Sequence, residues 1–264
     1  MKNYERYSGF VDNWKKAVFP ARPSPEEMVV FDNLMSKHEG QSLLILGSTP
    51  EFRDLGAKHN LKVTCADINP DMLEGMKQLV KHKNKDENLV KCNWLKMPFE
   101  DNTFDIVFAE QSANIIEAEF FDAFFKEVSR VLKKGGFFIN KMLVPCSRDE
   151  KDILEQFRKE RKDIFYLYDH LYHAEGVFDK TTSIGHGHLK PIFDRLLREG
   201  KITKEEHSQF FDALGAIIDA DLHLNVLKKE KLEPIMRNHF KIKQILFGED
   251  FEKHMNHPIY TLEK

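Results

Sequence analysis

Gly47 and Asp67 are spaced as the two fixed points of a site for a nucleotide-like ligand: a glycine closing an apolar run, and a carboxylate twenty residues further on. A glycine there lets the backbone turn sharply and lets a ligand approach without meeting a Cβ. A carboxylate at the tip of the neighbouring strand accepts from both hydroxyls of a ribose. Its competing role is a helix cap, since Asn69-Pro70-Asp71 is good helix-start chemistry, and the two roles are compatible.

A second reactive group crowds into eight residues, where Tyr166, Tyr168, Asp169, His170, Tyr172 and His173 include three of the six tyrosines. Tyr172 or His173 could act as a base or a substrate contact, with helix packing or exposure as the competing reading. His170 and His173, one helical turn apart, and His186 and His188 in IGHGH offer imidazoles that suit Zn or Ni. No cysteine or carboxylate signature accompanies them, so a polar lid loop and no metal is the expectation. Trp14 and Arg22 could cover a ligand, Arg22 holding a carboxylate; packing and surface exposure compete with that reading.

The elements that position these groups follow from apolar patterning. In QSLLILGSTPEFRDLG, Leu43 to Leu46 make a strand buried on both faces. Thr49-Pro50-Glu51 reads as a helix entry, with Thr able to cap, Pro lacking an N–H to lose, and Glu placed at the positive end of the dipole. Upstream, residues 1–40 read as two helices, the second capped by Ser24 with Pro25 at its first position and Glu27 as capping-box partner. Downstream the chain alternates: helix 52–59, strand 61–66, helix 70–82, strand 89–92, strand 103–109, helix 117–132 with a stripe of Phe120, Phe121, Phe124, Phe125, Val128 and Val131, then strand 136–144 after Gly135-Gly136. Such β-α repeats imply a doubly wound, mostly parallel sheet with ligands at the C-terminal strand ends.

From residue 147 to 238 the pattern changes to helices alone, and strands 240–246 and 258–262 close a seven-stranded sheet whose last strand is antiparallel. The expected organisation is therefore N-terminal helices over 1–40, a core over 41–146 and 239–264, and a helical insert over 147–238 serving as lid and substrate region.

Composition sets the class. The chain has 264 residues, 41% apolar and 31% charged, with a formal charge of −3. It is globular, and nothing in the charge draws it to nucleic acid. Cys65, Cys92 and Cys146 form no CxxC pair and no even framework, which fits a reducing compartment. No stretch approaches the roughly 20 apolar residues of a membrane span, and MKNYERYSGF lacks a signal-peptide core. A cytoplasmic location is expected; the oligomeric state is not legible.

Three patterns across residues 41–145 resemble class I, Rossmann-like S-adenosylmethionine-dependent methyltransferases. LLILGSTPE resembles the cofactor loop, ADINPDMLEGMK the ribose-binding turn with its helix, and KCNWLKMPFEDNTFDIVFAE the adenine-binding turn running into strand four. FFKEVSRVLKKGGFFI is similar to the helix, double glycine and strand that follow. The resemblance implies that Gly47, with Ser48 and Thr49, receives the methionine portion, that Asp67 binds the ribose, and that Ile68 packs on the adenine. It places Asn93 on the adenine amino group, Trp94 beside the ring, and Glu110, Gln111 and Ser112 at the methionine end and the reacting methyl. The usual loop has an acidic residue and further glycines where this chain has Ile45, Thr49 and Glu51, so the chain reads as the LG-x-TPE variant.

The implied activity is in-line methyl transfer from S-adenosylmethionine to an oxygen or nitrogen of a small molecule, leaving S-adenosylhomocysteine. Two alternatives stand beside it: a methyltransferase-fold binding or regulatory protein without turnover, and a nicotinamide-dependent oxidoreductase, against which the missing GxGxxG counts.

Overall fold

The computed structural model of the chain describes residues 9–16, 21–82, 84, 87–145, 149–160, 166–167, 170–171, 182–219, 223–251 and 254–264. The chain divides into two compact units, one from 1–144 with 229–264, the other from 145–228.

The first unit begins with α1, Phe10–Lys16, and α2, Pro25–Met35. The capping box at α2 forms: Glu27 N donates to Ser24 Oγ at 3.2 Å, and Ser24 N donates to Glu27 Oε2 at 2.8 Å. Two amides that no helical carbonyl can reach are satisfied in this way. Then come β1, Ser42–Leu46, α3, Pro50–Lys58, β2, Lys62–Asp67, α4, Pro70–Leu73, β3, Asn88–Lys91, β4, Phe104–Glu110, α5, Phe121–Val131, and β5, Leu132–Lys141.

The second unit contains α6, Glu150–Lys159, β6, Ser183–Gly185, α7, Leu189–Arg198, α8, Lys204–Asp219, and β7, His223–Asn225. Phe193 on α7 stacks on Phe210 of α8 with centroids 3.8 Å apart, and His207 meets Asp194 at 2.8 Å. Within this unit β6 pairs antiparallel with β7, so the expectation of helices alone over 147–238 is corrected. Pairing partners some forty residues apart leave no local hairpin signal to read.

The chain returns to the first unit with α9, Lys229–Arg237, β8, Lys241–Leu246, and β9, Ile259–Glu263. Seven strands form one sheet in the order β3-β2-β1-β4-β5-β9-β8. The pairs from β3 to β5 are parallel, and β9 runs antiparallel to both β5 and β8. This is the doubly wound, mostly parallel sheet that the β-α repeats imply.

One face packs Leu43, Ile45, Val63, Cys65, Ile106 and Phe108 against Phe31 of α2 and Phe52 of α3. Phe31, Phe52 and Phe108 meet edge to face, an arrangement ring quadrupoles favour. On α5, Phe121, Phe124, Phe125, Val128 and Val131 recur at helical spacing and are fully buried, with Phe124 and Phe125 against Phe138 of β5.

Other expectations need correction. Phe120 does not join the buried stripe: it is 40% exposed and ends a 3-10 turn, Ala118–Phe120, ahead of α5. The helix expected over 70–82 breaks after Leu73 into a 3-10 segment, Gly75–Leu79. Gly75, a poor helix former, lies at the break, and a Cβ there would stand 2.8 Å from Val11 of α1. Gly135-Gly136 lies inside β5, which starts at Leu132, and Gly136 packs so close to the Asp105 carbonyl that a Cβ would sit 2.7 Å from it.

Candidate active site

Register brings the chemistry to one edge of the sheet. Leu46 lies beside Ala66 and Ala109, Asp67 beside Lys91, and Glu110 beside Lys141, so the C-terminal tips of β1, β2, β4 and β5 are level. In parallel sheets this edge is where ligands sit.

At the tip of β1, Gly47 adopts φ +107, a left-handed conformation that side chains resist. A Cβ on Gly47 would stand 3.9 Å from Asp67 Oδ2, so the missing side chain leaves a cradle directly before that carboxylate. The carbonyl of Ala66 accepts from both Gly47 N at 2.8 Å and Trp94 Nε1 at 2.7 Å. One acceptor thus ties the glycine turn, the tip of β2 and the indole together.

Asp67 ends β2 with only 5% of its surface exposed. Asn69 N donates to its Oδ1 at 2.7 Å. Burial pushes its carboxyl up to about 7, against the backbone donors Asn69 and Ile68, which favour the charged form. The cap of α4 is Asn69, whose Oδ1 accepts from Asp71 N at 2.7 Å and Met72 N at 3.3 Å. The capping role is thus filled by Asn69, leaving Asp67 Oδ2 facing the Gly47 cradle.

Ser48 and Thr49 are buried, but Thr49 makes no side-chain cap, contrary to its expected role at α3. Its backbone carbonyl accepts from Phe52 N and Arg53 N instead. Loop order comes from a residue sequence reading passed over: Arg53, 1% exposed, donates through Nη1 to Ser48 Oγ at 2.8 Å and Leu73 O at 3.3 Å, and through Nε to Glu87 Oε1 at 2.7 Å. Its Nη2 also meets Glu87 Oε2, making the pair bidentate.

Asn93 is exposed, and its Oδ1 accepts from Leu95 N at 2.9 Å, shaping the turn after β3. Trp94 is 4% exposed and Ile68 half-buried, both beside the tip of β2. At the tip of β4, Gln111 has φ +54, and Ser112 Oγ donates to the Leu46 carbonyl at 2.6 Å, bridging back to β1. Glu110 lies next to Lys141, whose Nζ donates to it at 3.4 Å and to Glu27 Oε2 of α2 at 2.7 Å. Sequence reading named Glu27 only as a capping-box partner and missed its pairing with Lys141, although a lysine inside the apolar run GFFINKMLV must be paired if the strand is buried on both faces. Arg22, considered for a carboxylate ligand, is engaged by Glu51.

Tyr172 and His173, the candidate bases, lie outside the described residues, as do Tyr168 and Asp169. His170 is 3% exposed, its Nδ1 is 3.0 Å from Tyr166 O, and its ring packs on Tyr166. Among the described residues no group of three or more His, Cys, Asp or Glu could hold a metal. Among them also, no helix is long and apolar enough to cross a membrane.

Residues 46–140, which contain this edge of the sheet, match the family model described as a methyltransferase domain. The chain carries a class I, S-adenosylmethionine-dependent methyltransferase domain. An Arabidopsis thaliana relative, 24-methylenesterol C-methyltransferase 3, is 29% identical over 143 residues, 53% of this chain and 37% of its own. The chain spans well under half the length of the first curated relatives it matches. Among solved structures, Burkholderia thailandensis 1,6-didemethyltoxoflavin-N1-methyltransferase, with S-adenosylhomocysteine bound, superposes with TM-score 0.55 at 10% identity, over 97% of this chain and 86% of that one. A Rhodobacter sphaeroides protein, described as belonging with Zn-dependent alcohol dehydrogenases, superposes with TM-score 0.64 at 13% identity over 100% of both chains. At such identities the shared feature is the fold.

One observation bears on the fit of the cofactor: at Gly47 a Cβ would meet nothing nearer than Asp67 Oδ2 at 3.9 Å, so the space before that carboxyl group is open to a ligand. Valine at Gly47 is expected to reduce S-adenosylhomocysteine affinity by more than about 100-fold, because φ +107 excludes a β-branched residue and its side chain would fill the cradle. Calorimetry on the folded variant checks this; wild-type affinity would move the ligand elsewhere.

Proposed function

We propose that the chain transfers a methyl group from S-adenosylmethionine to a small-molecule acceptor through an oxygen or nitrogen nucleophile. The observation that carries this reading is the open cradle at Gly47 facing Asp67 Oδ2 at the tips of β1 and β2, within the segment matched by the methyltransferase family model. Asp67 would hold the ribose hydroxyls, Ile68 and Trp94 the adenine, Asn93 its amino group, and Ser48, Thr49, Glu110 and Gln111 the methionine end. When bound, the cofactor supplies an electrophilic methyl group on a sulfonium.

The chain's own residues then have modest tasks: orientation, exclusion of water, and removal of a proton where the nucleophile carries one. Glu110 is buried at the tip of β4, and burial raises its carboxyl to about 8, so it holds or releases a proton near neutral pH. Residues 145–228, spliced between β5 and α9, are the segment we assign to acceptor selection, with Tyr172 and His173 as candidate contacts. A small acceptor is favoured by the formal charge of −3, which gives no drive toward a polyanion. The catalytic setting would be an aqueous compartment such as the cytoplasm.

Titration calorimetry with S-adenosylmethionine, S-adenosylhomocysteine and NADH tests the assignment. Micromolar affinity for the first two and none for NADH is the expected result. Binding of NADH alone would replace the methyltransferase reading with an oxidoreductase one.

A further inference from the structure

A groove with an apolar floor and a basic rim runs along the outer side of α3. Glu51, Asp54, Leu55 and Lys58 recur at helical spacing, so they share one face of α3, and that face lines the groove. Phe52, on another face of the same helix, is fully buried in the core. The start of α2 supplies one wall through Pro23, Pro25 and Met28, and the turn at Lys81 and His82 supplies the other. The volume between them is about 560 Å³, which is within the range of small-molecule sites. Gly47, Ser48, Asp67 and Asn93 take no part in the lining, so the groove is separate from the ligand edge of the sheet.

Both walls are fixed in place. Asp54 Oδ1 accepts from Lys81 N at 2.8 Å and from His82 N at 2.7 Å, which ties the outer turn to α3 by two backbone donors. On the other side the capping box orders the start of α2, and Asp250 Oδ2 accepts from Glu26 N at 3.0 Å. A site whose walls are already ordered loses little conformational freedom when a ligand enters.

The charges in the groove are unevenly spent. Its two acids are both engaged: Glu51 by Arg22, and Asp54 by the two amides. Of its bases, Arg22 is held by Glu51, and Lys58 meets Asp32 at 2.7 Å. Lys81 and His82 are exposed, and neither side chain pairs with a carboxylate among the described residues. Between these bases and α2 the surface is hydrocarbon. Leu55 is 7% exposed, Met28 is held against the core, and Pro23 and Pro25 have no amide hydrogen to offer.

The two halves of this surface ask for different things. A neutral apolar molecule would cover the floor and gain nothing from the rim. A small inorganic anion would meet the two bases in solvent, where such contacts contribute little. A molecule with both features uses the whole groove. We propose that the groove binds a monoanion with a hydrocarbon body, its carboxylate at Lys81 and His82 and its chain over Pro25, Met28 and Leu55. This site stands apart from the methyltransferase reading of the strand tips and does not depend on it.

Decanoate and 1-decanol, which share a chain and differ in charge, are the probes. Each is titrated by calorimetry at pH 7 into wild type, Lys81→Gln/His82→Gln and Pro25→Glu, with folding checked by melting temperature. Glutamate suits the first turn of a helix, so Pro25→Glu places a repelling charge on the floor while keeping α2. Wild type is expected to bind decanoate at least about 10-fold more tightly than 1-decanol. The double variant should lose about 10-fold for decanoate and nothing for 1-decanol, and Pro25→Glu should lose more than about 10-fold for decanoate. Decanoate should bind equally well in the presence of excess S-adenosylhomocysteine. Wild type that binds no decanoate, or that binds 1-decanol as tightly, overturns the proposal. So do variants with wild-type affinity for decanoate, and so does displacement of decanoate by S-adenosylhomocysteine, which would move the anion to the strand tips.

Discussion

Asparagine at Asp67 is expected to weaken S-adenosylhomocysteine binding by about 30-fold at pH 8 and, at the same pH, to raise the melting temperature of the free protein. The first effect follows from the ribose: a carboxylate accepts from both hydroxyls, and bonds to a charged group contribute about 1.5–3 kcal/mol, whereas the amide keeps one oxygen and turns an N–H₂ toward the donors. The second follows from burial. The folded state holds the Asp67 carboxyl at about 7, above its unfolded value of 3.8. The folded chain therefore binds that proton more tightly than the unfolded chain does. Its contribution to stability is fullest below the ordinary carboxyl range, falls as pH rises toward about 7, and stays lost above that.

Asparagine carries no charge to bury, so the variant escapes that loss, which is on the order of 2–4 kcal/mol. Glu110, raised by burial to about 8, adds a parallel decline that the variant retains. Melting temperature against pH from 4 to 9 reads the difference: wild type falls more steeply between 4 and 7 than Asp67→Asn does. Wild-type affinity for S-adenosylhomocysteine should also weaken below pH 7, as the ligand competes with a proton, while the variant's remains flat over that range. Equal stability curves together with unchanged affinity would remove Asp67 from the ribose site.

The largest loss of stability is expected at Arg53. Methionine there matches its length and flexibility but leaves Glu87, with a side chain 10% exposed, without its bidentate partner, and strips donors from Ser48 Oγ and Leu73 O. Removing one member of a buried pair costs about 3–5 kcal/mol. For a chain of this size that lowers the melting temperature by roughly 10 °C. The double variant Arg53→Met/Glu87→Met removes the stranded charge and should recover most of the stability. It should not recover S-adenosylhomocysteine affinity, because Ser48, next to the Gly47 cradle, still lacks its anchor. Full return of affinity in the double variant would limit Arg53 to a stabilising role.

What the sequence disclosed and what it hid divide by distance along the chain. Leu43 to Leu46 read as a buried strand because four apolar residues followed by a glycine carry their meaning locally, and the Ser24–Glu27 box does so over three residues. Gly47 and Asp67 were legible through a fixed spacing that the strand-helix-strand unit imposes. Asn69 rather than Asp67 caps α4 because a cap needs its oxygen above the first turn, and only the side chain directly before Pro70 reaches that place. The Lys141–Glu27 pair, 114 residues apart, and the Arg53–Glu87 pair, 34 apart, depend on packing between elements. No periodicity announces such pairs; the available hint is a charged residue in a segment otherwise too apolar to face water. Phe120 misled for the opposite reason, since its type fits the α5 stripe while the 3-10 turn before the helix rotates it out.

The placement of β9 between β5 and β8 has a consequence for the order of assembly. Phe137 pairs with Glu263, so one long edge of β5 waits for a strand made some 126 residues later. Until then β5 exposes a row of free amides and carbonyls next to Phe138 and Ile139, while the half of the sheet from β3 to β5 can already form from contacts much closer in sequence. Loop-closure entropy alone makes the final docking only slightly costlier than a shorter connection would. Timing is the greater burden: during synthesis the nascent sheet is open on the side that β9 later seals, and its protection from other chains depends on how fast the segment between them emerges.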